Sequence, residues 1–192
     1  MSFADAADVD TPGLESPDFV VRPARPNEYD EVGRICAAGY HADDLLRLGD
    51  GTIDRYYEAR LLDAARRAQE SEVLVAVRDG GRIAGTVTWC PPGSPWRDLA
   101  RRPEQAEFRM LSVAADERGH GVGQALVQAC LDRARAAGMT EVLLASLPSM
   151  SGAQRLYRRF GFERAPELDF EPTPQVWLWG FRLNLTVPAT TQ

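Results

Sequence analysis

The stretch FRMLSVAADERGHGVGQAL (Phe108–Leu126) decides the fold of this chain. A β-prone apolar run opens it, three glycines in five positions follow, and a helical pattern then places Val122 and Leu126 on one face. Glycine lets the backbone turn tightly and approach a ligand without a Cβ in the way. The first N–H groups of a helix are unpaired and lie at the positive end of its dipole. The stretch therefore predicts an anion site, most simply for a phosphate or diphosphate.

The glycine spacing limits which anion this could be. No Gly-Lys-Ser/Thr follows to reach a γ-phosphate and magnesium, so the stretch is not a Walker loop. Gly119, Gly121 and Gly123 are spaced G-x-G-x-G, which is not the G-x-G-x-x-G of dinucleotide-binding proteins. A glycine turn that binds nothing, and a nucleotide-binding protein of another kind, both stay open at this point.

Composition narrows the class of protein. The chain has 192 residues, of which 44% are hydrophobic and 26% charged, as expected for one globular domain. A net charge of −6 argues against nucleic acid as a partner. We expect a cytoplasmic protein with no membrane partner, because there is no secretory signal and no apolar run of about 20 residues. The three scattered cysteines, Cys36, Cys90 and Cys130, predict neither disulfides nor a metal site, and we expect them to be buried.

The order of elements predicts a mixed α/β fold with a mostly antiparallel central sheet of six to seven strands, four flanking helices and one parallel βαβ crossover. That crossover joins the strand before the glycine loop to the apolar run at 142–145. Residues 1–17 predict a disordered acidic tail, 18–185 a single domain and 186–192 a C-terminal tail. The proline-rich connection at 90–105 is long enough to be functional or mobile, and its Trp96 either plugs the loop onto the core or walls a cleft.

Two motifs together resemble a known family. The run Arg118-x-x-Gly121-x-Gly123 resembles the pyrophosphate loop Gln/Arg-x-x-Gly-x-Gly/Ala of the GCN-related N-acetyltransferases, the GNAT superfamily. One strand and one helix later, AQRLYRRFGF (153–162) resembles the family signature A-x-x-L-Y-x-x-x-G-F. With the element order, the resemblance covers about residues 19–185 and is far more specific than either motif alone.

The resemblance implies acetyl-CoA as co-substrate and direct transfer of its acetyl group to a primary amine in a ternary complex. In this family the strand before the loop, here 110–114, carries a bulge and splays from the parallel strand, here 142–145. The pantetheine arm lies in that opening, so Leu111 and Val113 are implied to contact it through their main chain. The cofactor-binding residues implied are Leu111, Ser112, Val113, Arg118, Gly119, His120, Gly121, Val122, Gly123 and Gln124.

The resemblance also implies two catalytic side chains. Tyr157 matches the tyrosine that protonates the coenzyme A thiolate, which a phenol with a pKa near 10 can do at neutral pH. Its alternative is a core aromatic at helical spacing. Glu107, six residues before Val113, matches the general base of the histone-acetylating branch, and its alternatives are a surface glutamate or a relay of water molecules.

Several questions stay open in the sequence. Met150 stands where many relatives have an asparagine that contacts the cofactor. The expected acceptor is a small-molecule or peptide amine. Four acidic residues, Asp43, Asp44, Asp50 and Asp54, either attract a cationic amine or form a solvated surface. A non-catalytic acetyl-CoA-binding module is the alternative function. The apolar face of the last strand, from Trp177 to Leu185, needs a cover, either a helix of this chain or a second subunit in a possible homodimer.

Overall fold

The computed structural model describes residues 19–185, so the expected tails at 1–17 and 186–192 lie outside the described residues. Its strands are β1 (Phe19–Pro23), β2 (Glu72–Arg78), β3 (Ile83–Cys90), β4 (Gln105–Val113), β5 (Glu141–Ser146), β6 (Glu163–Arg164), β7 (Phe170–Thr173) and β8 (Val176–Asn184). Its α-helices are α1 (Tyr29–Ala42), α2 (Arg55–Leu62), α3 (Ala64–Glu70), α4 (Val122–Ala136) and α5 (Ser151–Arg159).

The sheet confirms the mixed α/β class. Its strand order is β1-β2-β3-β4-β5-β8-β6, with β7 paired to β8, and only β4 and β5 run parallel. The described part of the chain has eight strands and five helices, more than the six to seven and four expected. The short strands β6 and β7 account for the first difference. The second arises because residues 55–70 form two helices, α2 and α3, divided at Asp63, whose carboxylate accepts the N–H of Arg66 and caps α3.

The bulge and the splay expected in β4 are both present. Thr86 pairs with Ser112 and Thr88 with Arg109, so one residue of β3 faces two of β4. Within this bulge Met110 has a φ of 56°, a left-handed conformation that is uncommon for a residue with a side chain. The parallel pairing of β4 with β5 covers only 105–107 against 141–143, after which the two strands diverge. The divergence opens a gap in the middle of the sheet.

An aromatic cluster lies beneath this gap. The ring centroid of Tyr157 is 6.0 Å from those of Phe108 and Phe162 and 6.3 Å from that of Phe181. A Schellman turn ends α5: Gly161 has a φ of 89°, and the N–H of Phe162 donates to the carbonyl of Tyr157. The same turn that stops the helix therefore places Phe162 against the tyrosine.

This chain covers most of the apolar face of the last strand, and the possible homodimer stays a prediction. Trp179, Leu183 and Leu185 pack on the main core with Phe181, so the chain covers most of that face itself, while Trp177 stays 54% exposed. All three cysteines are free and buried, as expected.

Candidate active site

The glycine loop presents a row of unpaired amides. Gly119 and Gly121 have φ values of 85° and 81°, which only glycine adopts without strain, and Gly121 is the N-cap of α4. Ala125 N–H donates the first helical bond, to the Gly121 carbonyl. Within residues 19–185, no hydrogen bond is donated by the backbone amides of residues 118–124. These amides, at the positive end of a helix, are suited to an anion.

The amides border a cavity of about 700 Å³, which we call the loop cavity. It lies between the loop, the end of α1 and the start of α5, and Leu111, Ser112 and Val113 of β4 form its floor. Every cofactor residue expected from the sequence lines it except His120, whose side chain is exposed. Arg118 is paired with Asp43 at the end of α1, with 2.9 Å between Nη1 and Oδ1.

A second cavity of about 390 Å³, the inner cavity, occupies the gap between β4 and β5. It shares lining residues Tyr40, Leu45, Leu111 and Met150 with the loop cavity, so the two spaces adjoin. Met150, the departure from the usual asparagine, lies at this junction. A ligand whose diphosphate is bound at the glycine loop can therefore extend along 111–113 into the inner cavity.

Tyr157 lines the inner cavity and is 4% exposed. Burial raises the pKa of its phenol above the ordinary value, so the hydroxyl keeps its proton at neutral pH. The hydroxyl has no hydrogen-bond partner among the described residues. The ring is packed in the aromatic cluster and the side chain also borders the cavity, so the core position is compatible with the catalytic role, which stays a prediction.

Glu107 also lines the inner cavity, although it is only 2% exposed. Its Oε2 accepts the N–H groups of Asp98, Leu99 and Ala100 at 3.1, 2.8 and 3.0 Å, while Oε1 accepts only that of Asp98, at 3.1 Å. Burial raises the pKa of this carboxyl, and the backbone donors partly oppose that shift. Glu107 is therefore not the surface glutamate considered as an alternative, and it anchors the connection between β3 and β4.

The sequence model of the Acetyltransferase (GNAT) family matches residues 41–162, which is more than half of the chain and contains both motifs.

This chain belongs to the GNAT family. Among its relatives, a mycothiol acetyltransferase of Cellulomonas flavigena is 34% identical over 125 residues, 61% of this chain and 36% of that protein. The N-acetyltransferase 8 of Rattus norvegicus is 36% identical over 88 residues, 46% of this chain and 38% of that protein. The chain thus spans well under half the length of these two relatives.

A solved structure supports the same fold. The protein YncA of Salmonella typhimurium, solved with its cofactor acetyl-CoA, superposes with a TM-score of 0.60 at 19% identity, covering 91% of this chain and 98% of that one. At this identity the likeness concerns the fold. Within residues 19–185 no helix of this GNAT protein is long and apolar enough to span a membrane. No cluster of three potential metal ligands occurs in the same region.

The structure brings together residues that the sequence analysis did not single out. Arg109 is partly buried near Glu107 in the wall of the inner cavity, with its Nη1 2.6 Å from Asp98 Oδ2 and 2.8 Å from the Trp96 carbonyl. Arg60 of α2 lines the same cavity. Arg109 lies two residues after Glu107 in the same strand, β4, so its place on the same face of the sheet could have been inferred from the sequence. Asp98 and Arg60 come from a loop and a helix whose placement no local pattern reveals.

The acidic cluster around the α1–α2 connection has partners inside the protein. Asp43 is paired with Arg118 and Asp44 with Arg47. Asp50 accepts the N–H and hydroxyl of Thr52, and Asp54 caps α2 by accepting the N–H of Tyr57. This pattern favours a structural role for the cluster over attraction of a cationic amine.

Trp96 has the first of its two expected roles. It is 3% exposed, and its indole N–H donates to Glu70 at 2.7 Å. The tryptophan therefore plugs the connection between β3 and β4 onto the core.

Proposed function

We propose that this GNAT protein transfers an acetyl group from acetyl-CoA to the primary amine of a small molecule or peptide, by direct attack in a ternary complex. One observation carries the proposal: the unpaired amides of 118–124 adjoin a gap between two diverging strands. A diphosphate held at those amides would direct the pantetheine arm along Leu111 and Val113, so the thioester would reach the inner cavity. Family membership supports the choice of cofactor.

The reaction needs two proton movements. The amine nitrogen forms a bond to the acetyl carbon, the carbon–sulfur bond breaks, the nitrogen loses a proton and the thiolate gains one. In our proposal Tyr157 donates to the leaving thiolate, because its raised pKa keeps the phenol protonated. Glu107 accepts the proton of the amine through a water at Oε1, the oxygen with fewer backbone donors.

The experiment that tests the proposal combines calorimetric titration with acetyl-CoA and a thiol-release assay over a panel of amines. Gly123→Glu should abolish binding, because it places bulk and negative charge where the diphosphate would lie, and a Cβ there is already 3.3 Å from Leu156 Cδ2. Ala136→Glu is the matched control, because it adds the same charge at the exposed far end of α4 and should bind normally.

Each result has a distinct meaning. Thermal unfolding of Gly123→Glu shows whether the variant is folded, and Gly123→Ala is the milder substitution if it is not. Unchanged affinity in a folded Gly123→Glu protein would refute the placement of the diphosphate. Binding of acetyl-CoA without thiol release for any amine would favour the non-catalytic module. Binding of ATP or NAD in place of acetyl-CoA would favour a nucleotide-binding protein.

A further inference from the structure

The inner cavity is lined by both apolar and charged side chains. Strands β5, β7 and β8 and the loops after α1 and β5 contribute apolar residues: Leu48, Leu144, Leu147, Phe170, Val176 and Leu178. Helix α2, strand β4 and the connection before β4 contribute charged residues: Arg60, Arg109, Asp98 and Glu107. At about 390 Å³ the cavity is at the lower end of the range for small-molecule sites, which is roughly 300–1,000 Å³. A small ligand with an apolar body and a polar head would match this mixed lining.

Nearly all charges that line this cavity have partners within the protein. Asp54 caps a helix, Glu107 accepts three amides, and Arg109 is paired with Asp98. Arg47 is paired with Asp44, with 3.0 Å between Nε and Oδ1. Among these cavity-lining charges in the described part of the chain, only the Arg60 guanidinium forms neither an ion pair nor a hydrogen bond.

The position of the Arg60 guanidinium is determined by aromatic stacking. Its Cζ lies 4.7 Å from the ring centroid of Trp96 and 5.9 Å from that of Tyr56. Trp96 is itself fixed, because its indole N–H donates to Glu70. Stacking on a ring covers a face of the guanidinium and leaves its N–H edge free to donate two parallel hydrogen bonds to a planar anion. Arg60 borders the inner cavity and also a third cavity of about 310 Å³, which Trp96 lines as well. A half-buried guanidinium held in this way is preorganised for a carboxylate.

We infer that the acetyl acceptor is a small amino acid-like molecule, with an apolar body, a primary amine and a carboxylate that Arg60 binds. This inference rests on the proposed function and adds the class of acceptor. The product is then an N-acetylated carboxylic acid, released with coenzyme A. Arg60 determines specificity here, while the proton movements stay with the groups named above.

The test compares matched acceptors that differ only in the carboxylate: leucine with 3-methylbutylamine, and phenylalanine with 2-phenylethylamine. The wild-type protein should prefer the amino acid of each pair by about tenfold or more in kcat/KM, as expected when a charge-assisted contact is made. Arg60→Gln should raise KM for the amino acids about tenfold and leave the decarboxylated amines unchanged. Arg60→Lys should recover part of the preference for the amino acids relative to Arg60→Gln, because lysine keeps the positive charge but lacks the two parallel N–H donors of the guanidinium.

Arg55→Gln is the control, because Arg55 belongs to the same helix and is 77% exposed outside the cavity. Binding of N-acetylleucine and of N-(3-methylbutyl)acetamide to the coenzyme A-loaded protein is measured in parallel by calorimetry. Turnover of the decarboxylated amines that equals or exceeds that of the amino acids would overturn the inference and leave the acetyltransferase proposal standing. Equal loss on both acceptor types in Arg60→Gln, or equal affinity for both products, would also overturn it. Failure to release thiol with any amine would instead count against the proposed function.

Discussion

Replacing Tyr157 by phenylalanine isolates one hydroxyl group in the proposed mechanism. The ring packs against Phe108, Phe162 and Phe181 with centroids 6.0 to 6.3 Å away, and phenylalanine keeps all of these contacts. The hydroxyl has no partner among residues 19–185, so its removal breaks no internal hydrogen bond. We therefore expect the free energy of unfolding to change by less than about 0.5 kcal/mol.

The effect on turnover follows from what the hydroxyl would donate to. A hydrogen bond to a charged group contributes about 1.5–3 kcal/mol, and each ~1.4 kcal/mol of the barrier is tenfold in rate. If the phenol stabilises the leaving thiolate, Tyr157→Phe should lower the rate of acetyl transfer about 10- to 150-fold. Affinity for acetyl-CoA should stay within about twofold, because the proposed diphosphate contacts are backbone amides of the loop cavity, which Tyr157 does not line.

The assay is release of the coenzyme A thiol, followed with a chromogenic disulfide reagent under single-turnover conditions, so that slow product release does not hide the chemical step. All three cysteines of the protein are buried and should contribute little background. Tyr29→Phe is the control, because it makes the same chemical change in a tyrosine that lines neither cavity. A transfer rate in Tyr157→Phe within twofold of the wild type would refute the assignment of the phenol as proton donor.

Two further predictions concern the carboxylates of the site. A carboxyl group must be ionised to act as a base, and burial raises the pKa of Glu107. If Glu107 is the base, kcat/KM should therefore rise with pH through a midpoint above the ordinary pKa of glutamate. Glu107→Gln should remove this rise and lower kcat, and a wild-type profile in that variant would favour a water relay. Asp43→Asn should tighten acetyl-CoA binding up to about fivefold, because it frees Arg118 from its ion pair and removes a negative charge from the loop cavity. Calorimetric titration measures this affinity, and weaker binding in the variant would contradict the prediction.

The sequence by itself determined the family, the class of fold and the glycine loop that opens helix α4. These follow from short-range patterns: the spacing of Gly119, Gly121 and Gly123, the apolar stripe of α4, and the turn at Gly161 that ends α5. Each is a local consequence of backbone sterics or of helical periodicity, so it can be read from a few consecutive residues. The bulge at Met110 was expected only through the family resemblance. A left-handed φ is usually marked in a sequence by glycine, and this position is a methionine.

Only the tertiary structure decided which charges are available in the inner cavity. Glu107 accepts the amides of residues 98–100 mainly through Oε2, and Asp98 is paired with Arg109. The acidic residues around α2 are bound by nearby arginines, by Thr52 or by the start of the helix. The same contacts leave Arg60 stacked on Trp96 with its N–H edge free. These pairings join residues from separate elements, and the partner that a charge meets depends on how those elements pack. Local sequence patterns carry no such information.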